Sequence, residues 1–530
     1  MANYKEKYAQ FRIKEPLEKS KLPKPIFEKN KKFEKLYWVA WELAWDHVLQ
    51  RNDTPQERYI DEAMDPDQIW IWDSCFMALF CRYGYKTFPG IETLDNFYAI
   101  LYDNYESPVK IHFADNPPLF AWIEHEYLKF TGDVERIKKI LNKKNYLQQH
   151  FTFIDNARNQ RKKRNVMVRH KARKERLGYR WQGNTSGMDN TPRGRTWWNN
   201  TRMNLRGQIV HNNIYWVDLL AQQALSAKYI EKLQKIIGNP SEAEKYRKKW
   251  MYLCKLLNRW YWDPNDGFYY DIKRKEAKNH LKNYSSRENQ HEEDTEIFNK
   301  VKSIASYWPL LAECSNATQA ESMANYAKNP DYFGGIIPFP SLSRSDPEFV
   351  PQGRYWRGGV WLPTTYMATK ALEKYGFIDL ANDYAHRLLI AMLRTLEQFS
   401  PSTIWETYSP TEFQPSTQKR NKDYVREDFC GWSALGPISL FIENILGFQE
   451  VNCLNEKIVW NIHHDCKHGI RNLCFGQFMA DLIYSEGTLD IHTNKEFELE
   501  VNLDKSIFGD LEIIQNRFHI TKGHHEIDLL

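Results

Sequence analysis

The sequence predicts a mainly α-helical fold in which antiparallel helix pairs close into a ring, followed by a small antiparallel β appendage. Between residues 33 and 446, apolar residues recur three and four positions apart, the spacing of one helix face. After Gly447 they alternate with polar residues, as in Lys457–Ile462, which is the period of a strand. The predicted domains are an N-terminal extension at 1–32, a helical domain at 33–447 and a β-rich domain at 448–530.

The helical domain is expected to hold about a dozen helices. The first covers 33–48, where Phe33, Tyr37, Ala40 and Trp41 share one face. The others are expected near 73–84, 92–106, 119–130, 133–148, 213–232, 241–262, 297–314, 317–328, 359–375, 378–397 and 430–446. Long loops rich in Gly, Pro and Trp lie at 107–118, 177–212, 329–358 and 399–429. A ring of helix pairs gathers such loops at one end, so we expect the functional residues there.

Aromatic residues make up 15% of the chain and include 19 Trp, while the mean hydropathy is low at −0.68. Sugars present CH faces that pack on Trp and Tyr, and hydroxyls that bind Asp, Glu, Arg or Gln. The composition therefore suits a small carbohydrate ligand. An aromatic-rich helical core is the alternative that composition leaves open.

The 73 basic and 68 acidic residues nearly balance, with a formal net charge of +5. Such a surface does not require a nucleic acid partner. The basic excess is concentrated in 158–176, which lacks interleaved aromatic residues for base stacking. We interpret this stretch as a solvated insertion rather than as a contact for an acidic substrate or for nucleic acid.

No apolar run is long enough to span a membrane, and the first residues lack the apolar centre of a signal peptide. We therefore expect a soluble cytoplasmic protein, although a secretory signal trimmed away would leave the same sequence. The oligomeric state stays open.

The eight cysteines form no CxxC pair, and we expect buried free thiols. The tail sequence from His463 to His468 is too crowded for a zinc site. The Asp263 to Gly267 turn lacks the closing bidentate Glu of a calcium loop. We predict neither a metal nor a cofactor.

Asp189 is the first candidate catalytic residue. Ser186 and Gly187 before it and Pro192 after it exclude a regular helix, so the carboxyl is expected on an exposed turn. An Asx-type turn, in which Asp189 only caps backbone amides, is the alternative. Trp181 and Gln182 precede this turn and Arg193 follows it.

Glu406 is the second candidate, on a constrained loop between Trp405 and Tyr408. A carboxylate walled by rings can be desolvated and its pKa tuned. Two isolated acids on aromatic loops suit hydrolysis of a sugar acetal, in which one protonates the leaving oxygen while the other activates water or attacks carbon. A surface Glu in a salt bridge is the alternative for Glu406.

Two further clusters look like walls of the same pocket. Asp73 follows two indoles at the start of a helix, and Arg357 lies among indoles ahead of another helix. A carboxylate and a guanidinium can each bind two adjacent sugar hydroxyls. A helix N-cap for Asp73 and a structural ion pair for Arg357 are the alternatives. The aromatic wall residues are Trp70, Trp72, Tyr355, Trp356 and Trp361.

These motifs, together with the closing segment from Gly431 to Gly447, resemble glycoside hydrolase family 63, the processing α-glucosidase and mannosylglycerate hydrolase group. The match runs from Trp70 to Gly447 in the family's order. The resemblance implies an (α/α)6 toroid and an inverting α-glycosidase, with Asp189 as general acid and Glu406 as general base. The contacts that it implies for the non-reducing sugar are Asp73, Trp181, Gln182, Trp356 and Arg357.

The chain departs from the family pattern after Pro410, where Thr411 and Glu412 replace the usual Thr-Gly. Because the first expected helix begins at residue 33, we do not expect the large N-terminal β domain of the eukaryotic processing enzymes. The sugar, glucose or mannose, stays open. Basic residues near the pocket favour a charged aglycone such as glycerate. Three alternatives remain: an epimerase using His112 and His211, a phosphorylase of the same fold, and a carbohydrate-binding protein without turnover.

Overall fold

The computed structural model describes residues 2–62, 65–156, 172–181, 183, 185–193, 213–284, 295–419, 421–504, 508 and 516–529. Gln182, His211 and most of the basic stretch 158–176 lie outside the described residues. What was predicted for them stays a prediction.

Helices dominate the chain up to residue 446. They are α1 (Ala2–Phe11), α2 (Lys31–Trp45), α3 (Ile71–Cys81), α4 (Gly90–Tyr102), α5 (Phe120–Thr131), α6 (Val134–Lys138), α7 (Tyr146–Asp155), α8 (Val217–Ile236), α9 (Pro240–Trp260), α10 (Arg274–Tyr284), α11 (Trp308–Leu311), α12 (Ala317–Lys328), α13 (Leu362–Glu373) and α14 (Ile378–Gln398). A 3-10 turn at Trp432–Leu435 and a π-helical segment at Gly436–Ile445 complete this part.

Burial separates these helices into two classes. Nearly every side chain of α3, α8 and α13 is buried, whereas α9 and α14 bury one face. The buried helices pack side by side in the order α3, α5, α8, α11, α13 and 432–445, and the last packs on the first. Because α9 packs on α8 and α14 on α13, an outer layer covers this inner circle.

Two of the predicted helices are wrong in extent. In the predicted helix at 297–314, Ile297 ends a 3-10 turn, and beyond it only Ile304 to Leu311 is helical, first as a 3-10 turn and then as α11. The segment is buried on all sides there, so apolar spacing could not separate helix from loop. The predicted helix at 133–148 breaks at Asn145, which takes a left-handed conformation (φ 54°) and begins α7.

The C-terminal region forms two sheets. One has the order β1-β15-β16-β17-β20 and the other β13-β14-β18-β19. Their strands are β1 (Lys24–Phe27), β13 (Phe448–Asn452), β14 (Lys457–Ile462), β15 (His468–Phe475), β16 (Phe478–Ser485), β17 (Thr488–Thr493), β18 (Phe497–Leu503), β19 (Arg517–Ile520) and β20 (Gly523–Asp528). The expectation of a purely antiparallel appendage is wrong, because β14 and β18 pair in parallel.

The N-terminal segment is more than an extension. Its strand β1 pairs with β15 of the C-terminal sheet, in the register Pro25 to Ile470. The remaining strands are short and lie between helices: β2 (Val48–Gln50), β3 (Arg58–Ile60), β4 (Gln68–Ile69), β5 (Lys110–Ile111), β6 (Arg173–Glu175), β7 (Gly178–Arg180), β8 (Ile214–Tyr215), β9 (Trp262–Asp263), β10 (Phe268–Tyr269), β11 (Asp271–Lys273) and β12 (Phe298–Asn299).

The cysteine prediction is wrong for one pair, because Cys254 of α9 and Cys314 after α11 form a disulfide. In the Asp263 to Gly267 turn, the Lys300 ammonium pairs with both Asp263 and Asp266. Within the described residues, no group of three or more His, Cys, Asp or Glu side chains is arranged to hold a metal ion. The helices of the described ranges also include none long and apolar enough to cross a membrane.

Candidate active site

A cavity of about 640 Å³ opens at the N-terminal ends of α3 and α13, beneath the long loops. Trp70 precedes α3, Trp361 precedes α13, and Trp432 begins the last 3-10 turn. The residues that line it are Glu62, Asp65, Trp70, Trp72, Asp73, His112, Phe113, Asn116, Gly187, Asp189, Tyr355, Trp356, Trp361, Gln418, Lys419, Asn421, Arg426 and Trp432.

Asp189 lies in the cavity wall on the predicted turn. Its side chain is 18% exposed, and the Lys419 ammonium lies 2.5 Å from Oδ2. The next residue fixes the turn, because Asn190 Nδ2 donates to the Arg354 carbonyl at 2.9 Å and the Trp356 amide donates to Asn190 Oδ1 at 2.8 Å. The Asp189 carboxylate therefore faces the cavity and Lys419.

Arg193 anchors the other end of this turn. It is buried, and its guanidinium makes paired hydrogen bonds of 2.7–2.9 Å to the carboxylates of Asp218 and Asp271. Asp218 lies in the first turn of α8. Two bidentate ion pairs hold the turn rigidly against the inner helices.

Glu406 is buried, with its side chain only 2% exposed. One oxygen, Oε1, accepts from the Tyr355 hydroxyl at 3.0 Å and from Arg426 Nη2 at 2.9 Å, while Oε2 accepts from the Arg426 amide at 3.4 Å. Burial raises the pKa of Glu406, but Arg426 and Tyr355 outweigh burial and leave this pKa below its ordinary value. Glu406 is thus ionised at neutral pH, as a general base must be.

Asp73 lies in the first turn of α3, and the N-cap position belongs to Trp70, so the N-cap alternative does not hold. Its Oδ2 is buried and has no hydrogen-bond partner among the described residues. Burial raises the pKa of Asp73 well above its usual range, and Glu62 and Asp189 raise it further. A buried acceptor that lines a cavity is suited to a ligand hydroxyl.

Aromatic rings form a continuous wall beside these acids. The indoles of Trp356 and Trp361 stack at 4.1 Å, and Trp72 lies 5.9 Å from Trp356. Trp361 also contacts Trp432, and Trp70 stacks on His112 at 5.1 Å. Tyr355 packs edge-on against Trp361.

The candidate base Glu406 lies behind Tyr355 and Arg426 and is not itself a lining residue, and three of the predicted sugar contacts are also not among the lining residues. Trp181 is fully buried behind the wall and donates Nε1–H to the Asp115 carbonyl at 3.0 Å. Trp405 is buried in the loop core, where its carbonyl accepts from the Ser433 hydroxyl. Arg357 pairs with Glu348 and donates to the Asn190 carbonyl at 3.3 Å, which fits the structural ion pair that the sequence left open.

Among the lining residues that were not predicted from the sequence are Glu62, Lys419 and Arg426. None of them follows a Trp or adjoins a Gly-Pro turn, so nothing marked them. Arg426 lies five residues before Gly431 of the closing motif, which is the only nearby signal. Trp432 belongs to that motif, but no site role was predicted for it.

A family model and several known proteins resemble the chain. The model described as mannosylglycerate hydrolase MGH1-like glycoside hydrolase domain matches residues 100–425, more than half of the chain. A protein of Borreliella burgdorferi described as uncharacterized is 24% identical over 497 residues, 91% of this chain and 91% of that protein. The mannosyl-oligosaccharide glucosidase of Saccharomyces cerevisiae is 22% identical over 288 residues, 51% of this chain but 30% of the yeast enzyme.

Among solved structures, the family 63 mannosylglycerate hydrolase from Thermus thermophilus in complex with Tris superposes with a TM-score of 0.53. The alignment has 17% sequence identity and covers 76% of this chain and 99% of that chain. At this identity the likeness concerns the fold. The cluster of Trp70, Trp72 and Asp73 lies before the residues that the family model matches.

Proposed function

The chain belongs to glycoside hydrolase family 63 and is a glycosidase, and from this premise we propose that it removes a terminal α-linked hexose with inversion of the anomeric centre. The observation that carries the proposal is that Asp189 lines the cavity, while Glu406 lies directly behind two lining residues, Tyr355 and Arg426, which both donate hydrogen bonds to it. Both carboxylates act electrostatically on the Tyr355 hydroxyl and on Glu62, so they share one environment.

In the proposed reaction Asp189 donates a proton to the glycosidic oxygen, and Glu406 removes one from the attacking water. The loss of a proton to Glu406 makes the water nucleophilic at the moment when the sugar carbon becomes positive. Inversion needs room for that water, so we expect the carboxyl groups to lie roughly 6.5–9.5 Å apart in the substrate complex.

The sugar is proposed to lie against the Trp72, Trp356 and Trp361 wall, with its hydroxyls donating to Asp73. The buried Oδ2 of Asp73, which no described residue binds, supports this placement. Glucose or mannose fits the proposal, because relatives are named as a glucosidase and as mannosylglycerate hydrolases. We propose that the two helix layers form the (α/α)6 toroid, supported by the closed order of the inner helices.

The test is release of free monosaccharide from a panel of α-glucosides, α-mannosides and mannosylglycerate, with the anomer followed by NMR. We expect the β-anomer first. Asp189→Asn and Glu406→Gln should each lower kcat by about 10²–10⁴-fold, since each removes one proton transfer. Asp423→Asn, an exposed carboxylate of the same loop region, is the matched control and should keep full activity.

Early appearance of the α-anomer would overturn the assignment of Glu406 as base. If the parent and Asp189→Asn bound a glycoside equally and neither released sugar, the carbohydrate-binding alternative would replace the enzyme proposal. Conversion of a free sugar without hydrolysis of any glycoside would favour an epimerase, for which His112 is in the cavity wall.

A further inference from the structure

One guanidinium serves two carboxylates at this site. Arg426 Nη2 donates to Glu406 Oε1 at 2.9 Å and to Glu62 Oε1 at 3.0 Å. The two carboxylate oxygens are therefore no more than 5.9 Å apart. Two negative charges at this separation compete for one positive charge, and each weakens the hold of Arg426 on the other.

Glu62 is fixed in this position. It lies on the loop between β3 and β4, is 5% exposed and lines the cavity. Gly431 packs directly on it, because a Cβ at residue 431 would lie 3.2 Å from Glu62 Cγ. Arg426, in contrast, has a side chain that is 42% exposed. The buried carboxylate thus determines where the more exposed guanidinium lies.

The charged and titratable groups around this pair come from several elements. Those that act on Glu62 or are acted on by it include Arg426, Glu406, Asp189, Asp73, Asp61, Tyr8 and Tyr355. The pKa of Glu62 is raised to about 7, mainly by burial. The charges of Glu406 and Asp189 contribute to this rise, whereas the charge of Arg426 lowers the pKa. Glu62 therefore changes charge in the neutral range, where Glu406 is already ionised.

We propose that Glu62 is a positioning residue for the base: it holds Arg426 between two carboxylates, so that Arg426 orients Glu406 without fully neutralising it. This inference rests on the proposed role of Glu406. When Glu62 is ionised, Arg426 is shared, and Glu406 binds a proton from water more strongly. When Glu62 is protonated, it no longer competes with Glu406 for the charge of Arg426, and the base is weaker.

Glu62→Gln imitates the protonated state and keeps an oxygen that can accept from Arg426. In the parent, kcat should rise with an inflection near pH 7, where Glu62 ionises. In Glu62→Gln this inflection should disappear, kcat at pH 8 should fall about tenfold, and KM should stay within about threefold. The matched control is Glu427→Gln, which removes an exposed carboxylate next to Arg426 and should keep the parental profile.

Loss of activity in Glu62→Gln with the inflection retained would overturn the proposal and leave a structural role, as would a profile equal to that of Glu427→Gln. A second readout needs no turnover. In calorimetric binding of 1-deoxynojirimycin and 1-deoxymannojirimycin from pH 5 to 8, the ratio of the parental affinity to the affinity of Glu62→Gln should change near pH 7, because titration of the ligand's own amine cancels in this ratio. If that change appears while no glycoside is hydrolysed, the proposed function fails and the charge coupling of Glu62 stands. If the pH dependence of the affinity is the same in the parent and in Glu62→Gln, the Glu62 proposal fails.

Discussion

Asp189 forms an ion pair with Lys419 in this structure, and contacts of the surrounding loop fix the position of Lys419. Its ammonium lies 2.5 Å from Asp189 Oδ2 and 4.8 Å from the centre of the Tyr355 ring. The loop that carries it is tied to the Tyr355 segment, because the Tyr355 amide donates to the Thr417 carbonyl. In the proposed reaction Asp189 contacts the glycosidic oxygen, so a cation bound to its carboxylate would lie on the leaving-group side.

The residue-scale prediction concerns this cation. Lys419→Met should lower kcat/KM about tenfold for an α-hexoside whose aglycone carries a carboxylate, since one charge-assisted contact is lost. A neutral aryl glycoside should be affected by less than about threefold. Steady-state kinetics on the two substrates measure the ratio. Lys422→Met, an exposed lysine of the same loop, is the control. Equal losses on both substrates would show that Lys419 does not select the aglycone.

The same scale explains which site residues the sequence could identify. Asp189 and Asp73, which line the cavity, and Glu406, which lies behind its wall, could be proposed from the sequence because indoles, Gly or Pro near them in the chain marked an irregular aromatic loop, and their roles stay predictions. Glu62 and Lys419 carry no such neighbours, and they reach the cavity only because distant segments meet there. Arg357 shows the reverse case, since its indole neighbours line the cavity while its own guanidinium pairs with Glu348.

At the scale of elements, the turn that carries Asp189 depends on a close approach at Gly187. Its φ is +82°, and a Cβ there would lie 2.2 Å from Trp72 Cζ2. The turn and the start of α3 are therefore in direct contact, and their spacing sets where Asp189 lies relative to Asp73. Helix spacing could not reveal this contact, just as it could not reveal that most of 297–314 is not helical.

Two glycines with the same backbone conformation separate strain from clash. Gly238 has a φ of +80°, and a Cβ added there would meet no described atom within 4 Å. Gly187→Ala and Gly238→Ala should each lose about 1–2 kcal/mol of stability because alanine is strained at this φ, and Gly187→Ala should lose about 1–3 kcal/mol more because its Cβ overlaps Trp72. Only Gly187→Ala should also lower kcat/KM, on the order of tenfold to hundredfold, as Trp72 and Asp189 move apart. Thermal unfolding measures the stability of both variants, and steady-state kinetics measure their activity. Equal activity in the two variants would contradict the prediction that only Gly187→Ala lowers kcat/KM.

At the scale of the whole molecule, the N-terminal segment and the closing segment hold each other in place. Strand β1 pairs with β15 at the edge of the C-terminal sheet. The predicted division into an N-terminal extension and a separate β domain did not include this pairing. Strands that are 440 or more residues apart leave no sign of their pairing in local periodicity. Near the cavity His47 makes a second such link. It is fully buried, with Nδ1 2.6 Å from the Asp61 carbonyl, while its Nε2 accepts from the Cys430 amide at 3.3 Å.

This link makes stability depend on pH. The pKa of His47 is lowered from 6.5 to about 4, mainly by burial. The hydrogen bond to the Asp61 carbonyl raises this pKa, and the charge of Arg426 lowers it. Below pH 6.5, His47 therefore binds a proton in the unfolded chain but stays neutral in the folded chain. The contribution of His47 to stability is thus complete above pH 6.5 and is lost as the pH drops from 6.5 to 4. The loss attributable to His47 is about 3 kcal/mol at pH 4.

His47→Gln keeps an acceptor for the Cys430 amide and a donor for the Asp61 carbonyl but cannot titrate. Urea unfolding at pH 8 should find it less stable than the parent by about 1–2 kcal/mol. The two stability curves should cross between about pH 6 and pH 5, and at pH 4 the variant should be the more stable by about 1–2 kcal/mol. His464 and His468, whose pKa values burial lowers to about 3 and about 4, destabilise both proteins equally in this range and cancel in the comparison. His524→Gln, at an exposed site, should follow the parental curve throughout. Parallel stability curves for His47→Gln and the parent would show that titration of His47 does not cause the loss of stability at acid pH.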